Sequence, residues 1–350
     1  MSAARPGAGT DRPVGGELSI RPATEADEPA ILDLLTTTMA GGPTGERSAD
    51  FFRWKHRSNP FGASLSLVAL SDGELVGFRT FMRWRFLRHG LPLTAVRAVD
   101  TATSPAHQGR GIFTRLTRAA IELAATDTDL IFNTPISNSL PGYLKMGWRE
   151  VGSVPIAIRV VRPLAFARGF RSAGHGEPAG PPPSILLPPA HEVLSDRAEV
   201  QRLLDAAVVP SDRLHTDRDS EYLWWRYASA PGLDYRAVAL RRGGDLVGLA
   251  IGRPRRRGPL AELTLSEVIV AGDDRAAARG LLRAVARARV DHVASSLRGW
   301  PTAEGVRRRL GYVDVPGRGM TLVANPLRPG AGDVFNRDAW ALSLGDLEVF

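Results

Sequence analysis

The chain contains no cysteine. That excludes disulfides, thiolate nucleophiles and cysteine-ligated zinc together. The seven histidines include no closely spaced pair on one helical face, so no metal site is expected. No uncharged apolar run approaches the roughly 20 residues of a membrane span, and no membrane partner is expected. The opening MSAARPGAGTDRPVGGE lacks an apolar core, so residues 1–16 read as a flexible leader and the cytoplasm is the expected compartment. Lysine is almost missing. Of 45 basic residues only Lys55 and Lys145 are lysines, a pattern that GC-rich coding produces and that raises the pI without concentrating charge. Neither the dinucleotide fingerprint G-x-G-x-x-G nor the P-loop G-x-x-x-x-G-K-[ST] occurs.

What is present is the composition of a globular protein, 43% apolar and 23% charged, over 350 residues, enough for two domains. The net charge of +8 admits nucleic acid or an anionic small molecule as partner. The basic residues are scattered apart from RPRRRG (253–258), and no basic patch is interleaved with aromatics. Nucleic acid is therefore not expected, and the run reads as a hairpin loop carrying solvated charge.

Along the chain, ELSIRPATEADEPAILDLLTTTM reads as a strand, a turn and a helix, with Thr24 and Asp27 as an N-cap pair. SLSLVALSDGELVGFRTFMRWRFLRHGLPLTAVRAVDTAT alternates in the manner of antiparallel hairpins, broken at SDGE and RHGLP. SPAHQGRGIFTRLTRAAIELAA then passes from a loop into a helix, with Ile112, Leu116, Ala120 and Leu123 on one face. DLIFNTP is a further strand. RGFRSAGHGEPAGPPPS marks a linker, after which the grammar restarts.

The restart is a repeat. Trp54 is followed after 6 residues by Pro60 and after 23 by Gly77; Trp225 is followed after 6 by Pro231 and after 23 by Gly248. FFRWKHRSNP matches YLWWRYASAP, VALSDGELVG matches VALRRGGDLVG, and LKMGWREVG matches RRLGYVDVPG. Such offsets imply a duplicated unit of about 150 residues. Because both halves carry the Trp54 and Trp225 pattern, packing is the expected role of these rings.

The chemistry sits where a strand ending at Thr103 gives way to HQGRG and a helix. Free amides at a helix start and the positive end of its dipole favour an anion. Gly109 and Gly111 admit close approach of the backbone, and Arg110 adds a charged donor.

This constellation resembles the GCN5-related N-acetyltransferase (GNAT) superfamily over residues 18–160. The family's pyrophosphate loop, [QR]-x-x-G-x-[GA], is met by Gln108 and Gly111, with Phe113 replacing the final small residue. NSLPGYLKMGW supplies Tyr143 four residues before the Gly147–Trp148 pair, and IRPATEADEPAILDLL is similar to the family's first strand and helix. The resemblance implies an α+β fold of two tandem GNAT-like domains, each a mixed, mostly antiparallel sheet flanked by helices. The expected division is 17–165 for a catalytic domain, 166–189 for the linker and 190–350 for a degenerate second domain with a tail.

The resemblance also implies acetyl-CoA or another acyl-CoA as co-substrate, with no metal. The acyl group would pass to a primary amine of a small-molecule acceptor by direct attack in a ternary complex. Backbone groups of Thr101, Ala102 and Thr103 would pair with the pantetheine arm, and the amides of Gln108, Gly109, Arg110, Gly111, Ile112 and Phe113 would hold the pyrophosphate. Tyr143 takes the family's acid position, or packs a core helix with its hydroxyl at the edge. Asp100 is the first candidate for the base, and as readily a solvated strand residue or an anchor for the amine. Asn138 is a candidate hydrogen-bond partner of donor or acceptor, although Ile136 stands where the family's asparagine falls. Phe51, Phe52 and His56 lie where family members build the acceptor pocket. The carboxylate of Phe350 reaches a site only if the tail folds back. The second half replaces HQGRGIF by AGDDRAAARG, whose Asp273 and Asp274 would repel a pyrophosphate, and it has Arg307 in place of the tyrosine. One active site per chain is expected, in a monomer or homodimer. The alternatives are a related transferase using aminoacyl-tRNA and a non-catalytic acyl-CoA-binding module.

Overall fold

Alternation in the hairpin-rich stretch becomes long strands. A computed structural model describes residues 17–38, 48–172 and 182–347. Strands β1 (Leu18–Pro22), β2 (Leu65–Ser71), β3 (Glu74–Arg88) and β4 (Leu91–Thr103) form an antiparallel series. Asp72 and Gly73 close the β2–β3 hairpin, and His89 and Gly90 the next, all four at positive φ. This is the two-residue turn whose twist matches that of the strands it joins. Helices α1 (Glu28–Thr38) and α2 (Ala49–His56) lie between β1 and β2 in sequence. Asp27 and Thr24 form the expected capping box, which leads into α1 through one 3₁₀ turn. α3 (Ile112–Ala124) packs on β2 and β3, and Gly77 makes room for it: a Cβ there would meet Ile112 Cγ2 at 2.8 Å. β5 (Leu130–Asn133), α4 (Leu140–Leu144), β6 (Arg149–Val160) and α5 (Pro163–Ser172) complete the first half. α5 thus runs into the stretch expected to be linker, and 173–181 lies outside the described residues, as does the expected leader.

The second half repeats the series. It contains α6 (Ala190–Val193), α7 (Arg197–Ala206), the short β7 (His215–Thr216) and α8 (Ser220–Leu223), which continues into a wider turn over Trp224–Ala228. β8 (Arg236–Arg242), β9 (Asp245–Arg257), β10 (Leu260–Val270), α9 (Arg275–Val285), β11 (His292–Ser295), α10 (Pro301–Arg307) and β12 (Val313–Pro326) follow. RPRRRG is not a loop, as its charge suggested. Arg253 to Arg257 end β9, and Arg253 is buried.

All twelve strands join one sheet, in the order β1-β2-β3-β4-β5-β12-β6-β11-β10-β9-β8, with β7 paired to the far end of β3. The order reads symmetrically about the β12–β6 pair once the repeat is applied. β4 and β5 are parallel, as are β10 and β11, and the other pairs are antiparallel. Each half has given its last strand to the other: β12 lies against β5, and β6 against β11. The α+β class and the mixed, mostly antiparallel sheet are those expected, but in space the halves interlock rather than follow one another.

The largest core cluster is shared by both halves, bringing Phe51, Trp54, Trp84 and Phe132 together with Tyr222, Trp225 and Trp340. The repeated tryptophans meet there. Trp54 and Trp225 stack at 5.0 Å between ring centroids. The Trp54 indole donates to the Trp225 carbonyl at 2.8 Å, and the Trp225 indole to the Trp54 carbonyl at 3.0 Å. Reciprocal contacts of equivalent residues are what a pseudo-twofold relation between the halves produces. The final helix α11 (Leu344–Leu347) is threaded into this core. Arg97 donates to the carbonyls of Asp346 and Leu347, and Arg226 to that of Gly345. The tail does fold back, as far as Leu347; Phe350 lies outside the described residues.

Candidate active site

β4 and β5 pair only over Ala95–Arg97 with Leu130–Phe132. Beyond Arg97 the two strands part, while β4 keeps its pairing to β3 as far as Thr103. One edge of β4, at Thr101, Ala102 and Thr103, is thereby open to an extended ligand. Asn133 is the first β5 residue past the parting. It is buried, and its Oδ1 has no partner among the described residues.

The loop that follows β4 turns on two glycines and leaves a run of backbone amides without acceptors among the described residues. Gly109 and Gly111 both take left-handed φ, 77° and 74°, a region in which a Cβ is strained. Gly111 is the N-cap of α3, with no side chain capping it and no acid in the first turn. Among the described residues, the amides of Gly109, Arg110, Gly111, Ile112 and Phe113 donate to nothing. The Arg110 side chain is exposed and makes no ion pair among the same residues. Gln108 is tied back to the end of β4 through Nε2 and the Thr103 carbonyl, at 3.4 Å.

Phe113, which departs from the loop pattern of the family resembled, turns its ring toward α4. Its ring packs edge-on against Tyr143, 5.8 Å between centroids, and Gly142 leaves space for it: a Cβ there would lie 3.2 Å from Phe113 Cε1. Its amide therefore stays with the loop while its side chain joins α3 to α4. Tyr143 is buried, and its hydroxyl accepts from Arg79 Nη1 at 2.9 Å. The same Nη1 donates to Thr101 Oγ1 on the open part of β4. Loop, strand edge and tyrosine thus converge on one place.

Asp100 is not solvated. It sits at a bulge, where the β3–β4 register shifts, with φ of 34°. That conformation costs a non-glycine residue on the order of 1–3 kcal/mol unless its surroundings hold it. Here they do. Asp100 Oδ2 accepts from Lys55 Nζ at 2.6 Å and contacts His56 Nε2 at 2.9 Å, with all three side chains buried. His56 Nδ1 meets Ser64 Oγ at 3.0 Å. Phe51 packs on Trp54, and Phe52 on Phe78 and the His56 ring. The structure brings His56 and Asp100 together and uses Phe51 and Phe52 as packing. Asn138 is exposed in the turn before α4.

The repeat supplies an internal comparison. Gly77 faces Thr103 across the sheet and Gly248 faces Val270, so Asp100 corresponds to Glu267. Lys55 and His56 correspond by sequence to Arg226 and Tyr227. The acid–helix contact survives: the Tyr227 hydroxyl donates to Glu267 Oε1 at 2.7 Å, and Arg218 pairs with the same carboxylate. Burial pushes the Glu267 carboxyl up, opposed by Arg218. The open helix start and the tyrosine do not survive. Asp274 caps α9 by accepting from the Ala277 amide at 2.8 Å. That contact, with the ion pair to Arg242, lowers its pKa; a carboxylate fills the place left open in the first half. Arg307, which stands for Tyr143, is locked to Asp314. A cavity of about 250 Å³ lies at the counterpart of the cleft, between Val268–Val270, Trp300–Ala303 and Val208–Val209.

Sequence reasoning passed over Arg79, Lys55, Ser64 and Asn133. Lys55 had a signal: in a chain that almost always encodes arginine, one of its two lysines is buried against an acid. Arg79 had none, since a strand arginine among many reads as solvated.

An open strand edge, a loop with free backbone donors and a buried tyrosine thus lie together, and the chain can be set beside known proteins. Residues 19–151 match the family model described as Acetyltransferase (GNAT) domain. No curated protein matches by sequence. Among solved structures, a GCN5-related N-acetyltransferase from Anabaena variabilis is similar at TM-score 0.61 and 12% identity, over 89% of this chain and 73% of that one. A probable N-acyltransferase from Enterococcus faecalis gives 0.62 and 12%, over the same shares. Eis1 from Mycobacterium abscessus gives 0.54 and 15%, over 89% of this chain and 74% of its own. At these identities the likeness is one of fold. No helix among the described residues is long and apolar enough to cross a membrane.

Proposed function

We propose that the protein transfers an acetyl group, or another acyl group, from acyl-CoA to a primary amine of a small molecule. The observation that carries the reading is the unsatisfied, glycine-shaped N-terminus of α3 beside the open edge of β4, with Tyr143 within reach of the same edge. Five amides without acceptors and no nearby acid suit a pyrophosphate, which binds through backbone donors at helix starts. The edge at Thr101 to Thr103 offers backbone groups to the pantetheine arm.

The neutral amine attacks the thioester carbon, so no enzyme nucleophile is needed, and a chain without cysteine suffers no loss. The carbon–nitrogen bond forms, the carbon–sulfur bond breaks, and one proton passes in net from nitrogen to sulfur. Tyr143 gives its hydroxyl proton to the departing sulfur and is recharged by the proton that nitrogen sheds. In this reading Asp100 holds the bulge and anchors α2 rather than serving as the base. Lys55 neutralises it at 2.6 Å, and its counterpart Glu267 is kept in a half whose helix start is closed to phosphate.

Isothermal titration of the full chain with acetyl-CoA tests the reading, followed by thiol release over a panel of amines. Stoichiometric donor binding and thiol release with one amine class are expected. Absence of binding at millimolar donor in folded protein would refute it.

A further inference from the structure

Arg79 is fully buried on β3, and no carboxylate pairs with it among the described residues. Only Nη1 has hydrogen-bond partners, Thr101 Oγ1 and the Tyr143 hydroxyl; Nε and Nη2 have none among those residues. The guanidinium is walled by Phe81, Phe113 and Tyr143, their ring centroids 4.9, 5.6 and 5.3 Å from Cζ. Cation–π contact offsets part of the desolvation of such a charge, but an isolated buried cation remains costly, and an apolar side chain of equal length would serve packing better.

The repeat shows what the cost accompanies. By the sheet register, Arg79 corresponds to Ala250 and Thr101 to Val268, while Tyr143 corresponds to Arg307 by sequence. All three members of the Arg79–Thr101–Tyr143 chain are replaced together in the half whose helix start is closed by Asp274. Trp54, Gly77 and Asp100, which shape the fold, all have like counterparts in Trp225, Gly248 and Glu267. Arg79 therefore belongs with the chemistry and not with the scaffold.

We propose that Arg79 is a positioning residue for acyl transfer. It fixes the Tyr143 hydroxyl at the open edge of β4 and places an uncompensated positive charge behind it. As the Tyr143 proton passes to the leaving sulfur and the carbon–sulfur bond breaks, that charge stabilises the phenolate oxygen left behind, so Arg79 acts through Tyr143. The proposal rests on the acyltransferase reading and adds to it a residue that touches neither donor nor acceptor.

The test is a double-mutant cycle in the full chain with acetyl-CoA and the amine found by thiol release. Arg79→Met should lower kcat by tenfold or more, leave donor Kd within twofold and leave Tm unchanged or raised. In a Tyr143→Phe background the same change should cost less than twofold. Arg79→Lys, which keeps the charge, should recover most of kcat. A packing role predicts instead a lower Tm with little change in kcat, and an independent role predicts losses that multiply with those of Tyr143→Phe; either overturns the proposal. Should Arg79→Met fail to fold, Arg79→Gln replaces it with the same readings. Transfer by the parent protein with indifferent variants overturns this inference alone, whereas no transfer by the parent overturns the acyltransferase reading and this with it.

Discussion

Gly111→Asp would give the first half the helix start of the second. In the second half Asp274 caps α9 through the Ala277 amide at 2.8 Å, and an aspartate at Gly111 has the Thr114 amide at the same spacing. The left-handed φ of 74° costs an aspartate about 1 kcal/mol, and the new cap returns about as much, so Tm should barely move. Donor binding should suffer. A carboxylate about 5 Å from one phosphate charge meets a repulsion of about 3 kcal/mol at an effective dielectric of 20. Salt at physiological strength reduces this to about 2 kcal/mol, a loss of about 30-fold in affinity. Isothermal titration with acetyl-CoA at low and high salt measures it, and the loss should shrink as salt rises. A Kd within threefold of the parent would mean that the pyrophosphate does not sit on α3.

Tyr143→Phe should lower kcat by roughly 10- to 100-fold with donor Kd kept, as read by steady-state thiol release beside titration. Trp54→Ala removes a stacked ring and the indole donor to the Trp225 carbonyl at the junction of the halves, and should cost about 3–5 kcal/mol in denaturant unfolding. Asp100→Asn keeps the shape of the bulge but removes a buried charge held by Lys55 at 2.6 Å. It should destabilise by about 3 kcal/mol or more, and any fall in kcat should be pH-independent; a lost acidic limb in the pH–rate profile would restore Asp100 as the base.

Local chemistry was readable in the sequence because it is local. Gly109 and Gly111 had to be glycines for their φ, the Thr24–Asp27 cap spans three residues, and SDGE turns on its own two central residues. The repeat was readable too, because equal folds keep equal spacings. Strand exchange was not. Nothing in the sequence of β6 or β12 says that each pairs across the duplication, since both alternate as any strand would and the choice is made by partners more than 130 residues distant for β6 and about 190 for β12. The environment of Arg79 was hidden for the same reason: its three rings come from β3, α3 and α4. Asn133 escaped notice because only the parting of β4 from β5 sets it apart.

The exchange of last strands sets an order of events at synthesis. β5 emerges long before β12, so the first half is made with one edge of its sheet bare. An unpaired edge invites pairing with another copy of the same edge, and a duplicated chain offers two near-identical partners for it. Until β12 is released, β6 is the nearest competitor for the bare edge of β5, and the cleft that β4 and β5 frame is finished only after β12 has been made. A nicked linker would leave two pieces still woven through one sheet, while a chain cut short before β12 would hold every residue of the loop between β4 and α3 and lack the neighbour that β5 needs.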